Sequence, residues 1–298
     1  MGLPSQPTRA LSSPRRVALL GATVTLWLLH ILLIHNHQIA VRKLPDLPPS
    51  VAPDGVVYQS ASYSCGPACL ATLLRQYGIM KSEQEWAELA GTGVALGTHL
   101  TGLRRVGEAL GFEPVILNPT FEQLNLIRHP GIIFESPFYH LVTFWGMDRD
   151  SIAIVRDPVL GRVTWGAEEL QLYAPDHPIL LVYYPGRVPR CDALSPAGEI
   201  ARVQRMLARA GYYRGAVDGQ WDNHLAKAVR DFQATMNLPH TGVVDPPTSI
   251  YLEGVWHLIV NGPCGPFMAV DRMDRSDQFA APMLQQSGGG RRRKTAGP

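Results

Sequence analysis

Residues 59–74 read QSASYSCGPACLATLL, and the reading of this stretch decides the fold of the chain. Cys69, Leu70, Leu73 and Leu74 recur at helical spacing, which predicts a helix over Cys65–Tyr77. Cys65 then stands at the mouth of that helix, with Ser64 expected as its cap and Pro67 in the first turn. The position has chemical meaning, because thiolate and not thiol is the nucleophile. A free cysteine titrates near ~8.5, and a helix N-terminus with an adjacent imidazolium brings it to roughly 3.5–7.5. Gly66 is expected to leave room beside the sulfur for a substrate backbone.

A sulfur nucleophile needs a base, and the base needs a group that orients it. Both are found in one expected hairpin. With a turn centred on Asp148–Arg149, residue 146 pairs with 151 and residue 140 with 157. His140 and Asp157 then oppose each other, with Cβ atoms about 4.5–5.5 Å apart. Asp157 accepts one imidazole N–H in this arrangement, and the other ring nitrogen faces Cys65. A slip of one residue would send the two to opposite faces. Gln59, upstream of the cysteine, is the candidate oxyanion donor beside the Cys65 backbone N–H.

Working outward, Ser82 and Glu85 form a capping box for a helix through Trp86 and Leu89, His99–Leu110 reads as a third helix, and Thr120 with Gln123 starts a fourth. Short apolar, branched and aromatic runs follow at 131–134, 140–146, 151–157, 163–165 and 179–184. Helices first and an antiparallel sheet second is an α+β layout for residues 56–185.

Gln59, the run Cys65-Gly66-Pro67-Ala68-Cys69-Leu70, His140 at a strand start and Asp157-Pro158 together resemble the bacteriocin-processing, double-glycine cysteine peptidases. The resemblance implies a papain-like fold and cleavage of leader peptides. It also implies Cys65 as nucleophile, His140 as general base and acid, Asp157 as orienting residue and Gln59 as oxyanion donor. No cofactor and no metal are expected.

After a Pro-rich hinge at Tyr184–Pro196 comes a unit over 195–254 with three short amphipathic patterns, a core small enough to suit a binding module. Its stretches VQRML (203–207), GYYRGAVDG (211–219), AVRDFQ (228–233) and TGVVD (241–245) resemble the peptidoglycan-binding domain found at the ends of cell-wall enzymes. The motif positions are Asp218, Gly219, Phe232, Gln233 and Gly242, and peptidoglycan is the implied partner. Cys191 and Cys264 bracket this unit; an oxidising compartment would let them pair, and two free thiols is the alternative.

Residues 17–34 are apolar and free of formal charge, about the length that spans a bilayer. Arg9, Arg15 and Arg16 before the run place residues 1–16 in the cytoplasm by the positive-inside rule. The rest, beyond a Pro-rich spacer at 35–55, is then periplasmic on a single-pass inner-membrane anchor. Residues 267–298, Gly- and Arg-bearing, are expected to be disordered. A formal charge of +2 without a basic stripe argues against nucleic acid. The order anchor, papain-like domain and wall-binding unit resembles the periplasmic half of general secretion pathway protein A. Three readings follow: an envelope peptidase acting on exported polypeptides, a non-catalytic scaffold of secretion machinery, and a hydrolase of peptidoglycan stems.

Overall fold

The computed structural model describes residues 50–135, 139–175 and 178–262, together with Thr25 and Leu28. The expected span at 17–34 (Thr25 and Leu28 apart), the tail at 267–298 and Cys264 lie outside the described residues. No helix among the described residues is long and apolar enough to cross a membrane.

The cysteine-bearing helix is α1, Cys65–Arg75, buried on all sides from Cys65 to Leu74. Helix α2, Glu83–Ala90, starts with the expected box: Ser82 Oγ accepts the Glu85 N–H at 3.3 Å, and the Glu85 carboxylate accepts the Ser82 N–H at 2.8 Å. Helix α3, Leu100–Ala109, crosses α2 closely, because Gly102 lies against the Ala90 carbonyl with no space for a Cβ. Thr120 and Gln123 exchange the expected bonds, at 3.0 and 3.3 Å, yet they support only a short 3-10 helix over Glu122–Leu126.

The strands are β1 Phe112–Leu117, β2 Gly131–Glu135, β3 His140–Met147, β4 Ala153–Asp157, β5 Gly161–Trp165 and β6 Ile179–Pro185. They form one antiparallel sheet in the order β1-β6-β2-β3-β4-β5. The expected order of helices followed by strands is corrected twice. Strand β1 precedes the 3-10 helix, and a helix α4, Ala167–Tyr173, separates β5 from β6. Glu113 and Pro114 interrupt the strand pattern of β1, and Pro114 is tolerated because β1 is an edge strand paired only with β6.

Sheet residues alternate between two cores. Ile132, Leu141, Leu181 and Tyr183 pack with α1–α3, while Ile133, Val142, Leu180 and Val182 pack on the opposite side. Burial on both faces explains why β2, β3 and β6 read as nearly unbroken apolar runs. Each such side chain contributes about 1.5–3 kcal/mol on burial.

The second core belongs equally to the terminal unit, whose helices are α5 Ala197–Arg209, α6 Asn223–Thr235 and α7 Pro246–Asn261. Gly254 of α7 meets the Leu126 carbonyl so closely that a Cβ has no room, and Gln123 Nε2 donates to the Met236 carbonyl at 3.2 Å. The segment expected to be a hinge is held at both ends. Arg190 pairs with Glu113, the Val188 N–H donates to Glu113 at 2.8 Å, and Cys191 bridges Val244.

Candidate active site

Strand β3 carries His140 and β4 carries Asp157, but the pairing that joins them differs from the expectation. The turn is longer than two residues. Asp148 Oδ1 accepts the N–H groups of Asp150 at 2.9 Å and Ile152 at 2.8 Å, and Ser151 takes a φ of 58°. This shifts the ladder to Met147↔Ala153 and Gly146↔Ile154. Carried on unbroken, that register would put Asp157 opposite Thr143, on the face away from His140. A bulge at Trp145 intervenes, with Gly146 at a φ of 125°, and beyond it the pairs are Phe144↔Val155 and Thr143↔Arg156. One step on, Asp157 falls diagonal to His140, whose ring at the strand start reaches Cys65 of α1.

The diagonal suffices for contact: His140 Nε2 lies 3.3 Å from Asp157 Oδ1. The same oxygen accepts the N–H groups of Val159 at 2.6 Å and Leu160 at 3.0 Å. Burial alone would raise the Asp157 carboxyl, but the hydrogen bonds from His140, Val159 and Leu160 outweigh it and hold it below the usual range. With Nε2 on the carboxylate, Nδ1 is the nitrogen left for the sulfur.

Helix α1 packs across β3 and reaches β4. Cys69 Sγ donates to the Leu141 carbonyl at 3.1 Å, pinning the helix one residue from His140. Burial pushes the Cys69 thiol up, as suits a structural side chain. Cys65, 5 % exposed, lies one turn earlier and interacts with the His140 ring. Burial would lower the imidazole, but the hydrogen bonds to Asp157 and Cys65, with their negative charges, push it up to about 10.

Two expectations about the helix entrance are corrected. Ser64 does not cap α1; its hydroxyl donates back to the Ala61 carbonyl at 2.9 Å and accepts the Ala61 N–H at 3.0 Å. Among the described residues, the Cys65 N–H therefore meets no side-chain cap. Gly66 faces no open space either. Thr98 fills it, on a loop closed by the Gly93–Gly97 bridge and a buried Thr92–Thr98 hydroxyl pair at 2.8 Å.

Gln59 is tied to the same corner. Its N–H donates to the Pro158 carbonyl at 2.9 Å, its side-chain amide donates to Ala61 O at 2.9 Å, and its Oε1 is buried without a partner among the described residues. A shallow recess of about 410 Å³ opens here between Tyr58–Ser62 and Pro158–Val159. The sequence reading missed Glu135, the last residue of β2, which is 4 % exposed and pairs directly with His140. The available signal was an acid closing the apolar run GIIFE.

In the terminal unit the motif positions act as internal braces. Gln204 accepts the Gly219 N–H at 2.9 Å and donates to Asp218 at 2.9 Å. Gln233 accepts the Gly242 N–H at 2.9 Å and donates to Thr241, Val243 and Thr248. Phe232 and Gln233 are fully buried. These residues brace the unit from within, while Asp218 remains exposed. Cys191 is buried, which pushes its thiol up to about 11, and the other half of the expected bridge, Cys264, lies outside the described residues.

Comparison with known proteins places these units. Residues 54–173 match the Peptidase C39 family, and residues 196–249 match a putative peptidoglycan binding domain. An uncharacterised protein of Methanothermobacter thermautotrophicus is 38% identical over 117 residues, covering 39% of this chain and 79% of that protein. The lactococcin-G-processing and transport ATP-binding protein LagD of Lactococcus lactis is 26% identical over 209 residues, covering 63% of this chain and 28% of LagD. The crystal structure of the peptidase domain of Streptococcus ComA is similar with a TM-score of 0.38 and 24% identity, over 42% of this chain and 95% of that domain.

Proposed function

Since the chain belongs to the Peptidase C39 family of cysteine peptidases through residues 54–173, we propose that Cys65, His140 and Asp157 are the residues that cleave its polypeptide substrate. The single observation that carries the assignment is the contact of His140 with Asp157 on one side and Cys65 on the other.

In this mechanism the proton shared by Cys65 and His140 rests on Nδ1, since the ring is pushed up to about 10, and Asp157 holds that imidazolium through Nε2. The thiolate attacks the peptide carbonyl carbon. The oxygen that takes up the negative charge meets the uncapped Cys65 N–H and the Gln59 side-chain amide, which has a second N–H beyond the one given to Ala61. His140 returns the proton to the leaving amine. Water then attacks the thioester, with His140 accepting its proton, and frees the thiol and the new carboxylate. The recess beside Gln59 offers a place for the substrate backbone.

The substrate we propose is an exported polypeptide bearing a leader segment, cut close to the cell wall, with the unit at 196–249 holding peptidoglycan. The apolar run at 17–34 would keep the protein on the inner membrane with both units in the periplasm.

The test uses the purified full-length chain, a thiol-alkylating probe at mildly acidic pH, and site-resolved mass spectrometry. Cys65 is labelled fastest of the cysteines in the wild type. His140→Ala slows it strongly, and Asp157→Asn lowers peptide turnover by roughly 10²–10⁴-fold. Equal Cys65 labelling in His140→Ala and wild type would falsify the base assignment. Release of soluble muropeptides from sacculi, with no polypeptide cut, would replace the proposed substrate by peptidoglycan stems. Failure to sediment with sacculi would remove the wall-binding role.

A further inference from the structure

Strand β3 stands between two carboxylates. Asp157 reaches His140 diagonally from β4, and Glu135 opposes it directly from β2, in the pair Glu135↔His140. Direct partners in an antiparallel ladder share a face, with Cβ atoms about 4.5–5.5 Å apart. The two acids are held very differently. Asp157 has two backbone N–H donors besides the ring. Glu135 is equally buried, at 4 %, and has no hydrogen bond or ion pair among the described residues.

Asp157 is braced by donors on its carboxylate and, among the described residues, Glu135 is not. What Glu135 does have is charge close to the site. The groups acting on it are His140 from β3 and Asp157 from β4, and it acts in turn on Cys69 of α1. A negative charge beside an imidazole favours the imidazolium. The proposed reaction needs that imidazolium to survive until the leaving amine is protonated.

We propose that Glu135 is a positioning residue for His140, a second carboxylate that works through charge alone, prolonging the protonated ring toward alkaline pH. Asp157 fixes the ring's direction and Glu135 extends the pH range over which the ring stays charged. Burial raises the Glu135 carboxyl to about 7, against the opposing pull of His140, so it is ionised across the alkaline range where the ring would otherwise discharge. Asp157 and Cys65 act on the ring more strongly, so the displacement due to Glu135 is modest, about half a pH unit.

The inference rests on His140 as the base, and its test requires no peptide to be cut. The full-length chain carrying Cys65→Ala is labelled with ¹³C-histidine, and the His140 ring is identified by its loss in His140→Asn. Its titration is then followed by NMR with Glu135 intact, Glu135→Gln and Glu135→Asp. The expected result is a midpoint about half a unit lower in Glu135→Gln and substantially restored in Glu135→Asp, with the fold retained in both. The parent protein also shows a second, smaller inflection of the His140 signal near pH 7, as Glu135 ionises. An unmoved midpoint in a folded Glu135→Gln protein overturns the proposal. If that variant does not fold, absence of the inflection near 7 in the parent overturns it equally.

Discussion

At the scale of single residues, the cluster around His140 makes stability depend on pH in separable ways. His140 is pushed up to about 10 from an ordinary value near ~6.5, so its contribution is complete below about pH 6.5 and is lost as pH rises toward 10. Asp157 is held below the carboxylate range, so its contribution is present above about pH 3.9 and is lost as pH falls below that. Glu135 is raised, and its penalty grows between about pH 4.3 and 7. Urea denaturation across pH should show Glu135→Gln flattening the fall between about 4.3 and 7, and His140→Ala flattening the fall between about 6.5 and 10. Gly66 gives a second residue-scale prediction. A methyl there collides with Thr98, so Gly66→Ala should cost about 1–3 kcal/mol in the same assay and loosen the loop that closes on the helix entrance. The meeting of His140 with Asp157 and Cys65 was legible in the sequence because cysteine, histidine and aspartate are distinctive residue types in a distinctive order. The partner of Ser64 and the filling of the space beside Gly66 were not, because both depend on chain segments that only folding brings near.

At the scale of elements, α1–α3 and five of the six strands follow from periodicity and caps, and the misses have identifiable causes. β1 carries a charge and a proline that only an edge strand accommodates. The β3–β4 register went astray because Asp148 organises a five-residue loop through its side chain, where a two-residue turn was expected. His140 and Asp157 still meet, by a different route: the longer turn and the Trp145 bulge together shift the far end of the ladder by two residues, which preserves the face. The bulge depends on Gly146 at a φ of 125°, a conformation that a branched side chain resists. Gly146→Val is therefore expected to cost about 1–3 kcal/mol and to slow Cys65 labelling even in the folded fraction, since a regularised ladder separates His140 and Asp157. Normal labelling by a folded Gly146→Val protein would show that the bulge is dispensable.

At the scale of the whole molecule, the sheet is shared property. Its one face closes on α1–α3 and its other on the core that continues into α5–α7. The sequence suggested two units on a hinge, because the connecting segment is rich in proline and separates two recognisable patterns. The fold instead clamps that segment through Glu113, Arg190 and the Cys191–Val244 bridge, and seats α7 on the 3-10 helix at Gly254. Gly254→Val should separate the units without unfolding either, read as a larger radius of gyration in small-angle scattering and as new protease sensitivity at 186–196. Arg128 and His257 meet across the same seam at 3.4 Å.

By itself the sequence determined most of the segments that become helices and strands, the residue types from which a catalytic site is proposed, and the order of the two units, because each of these is written in short-range patterns of apolar spacing, capping and side-chain type. Only the tertiary structure decided the strand register, the approach of Glu135 to His140 and the docking of the terminal unit. Alternatives one residue apart in register, or one surface apart in docking, cost nearly the same locally; packing across distant segments breaks the tie.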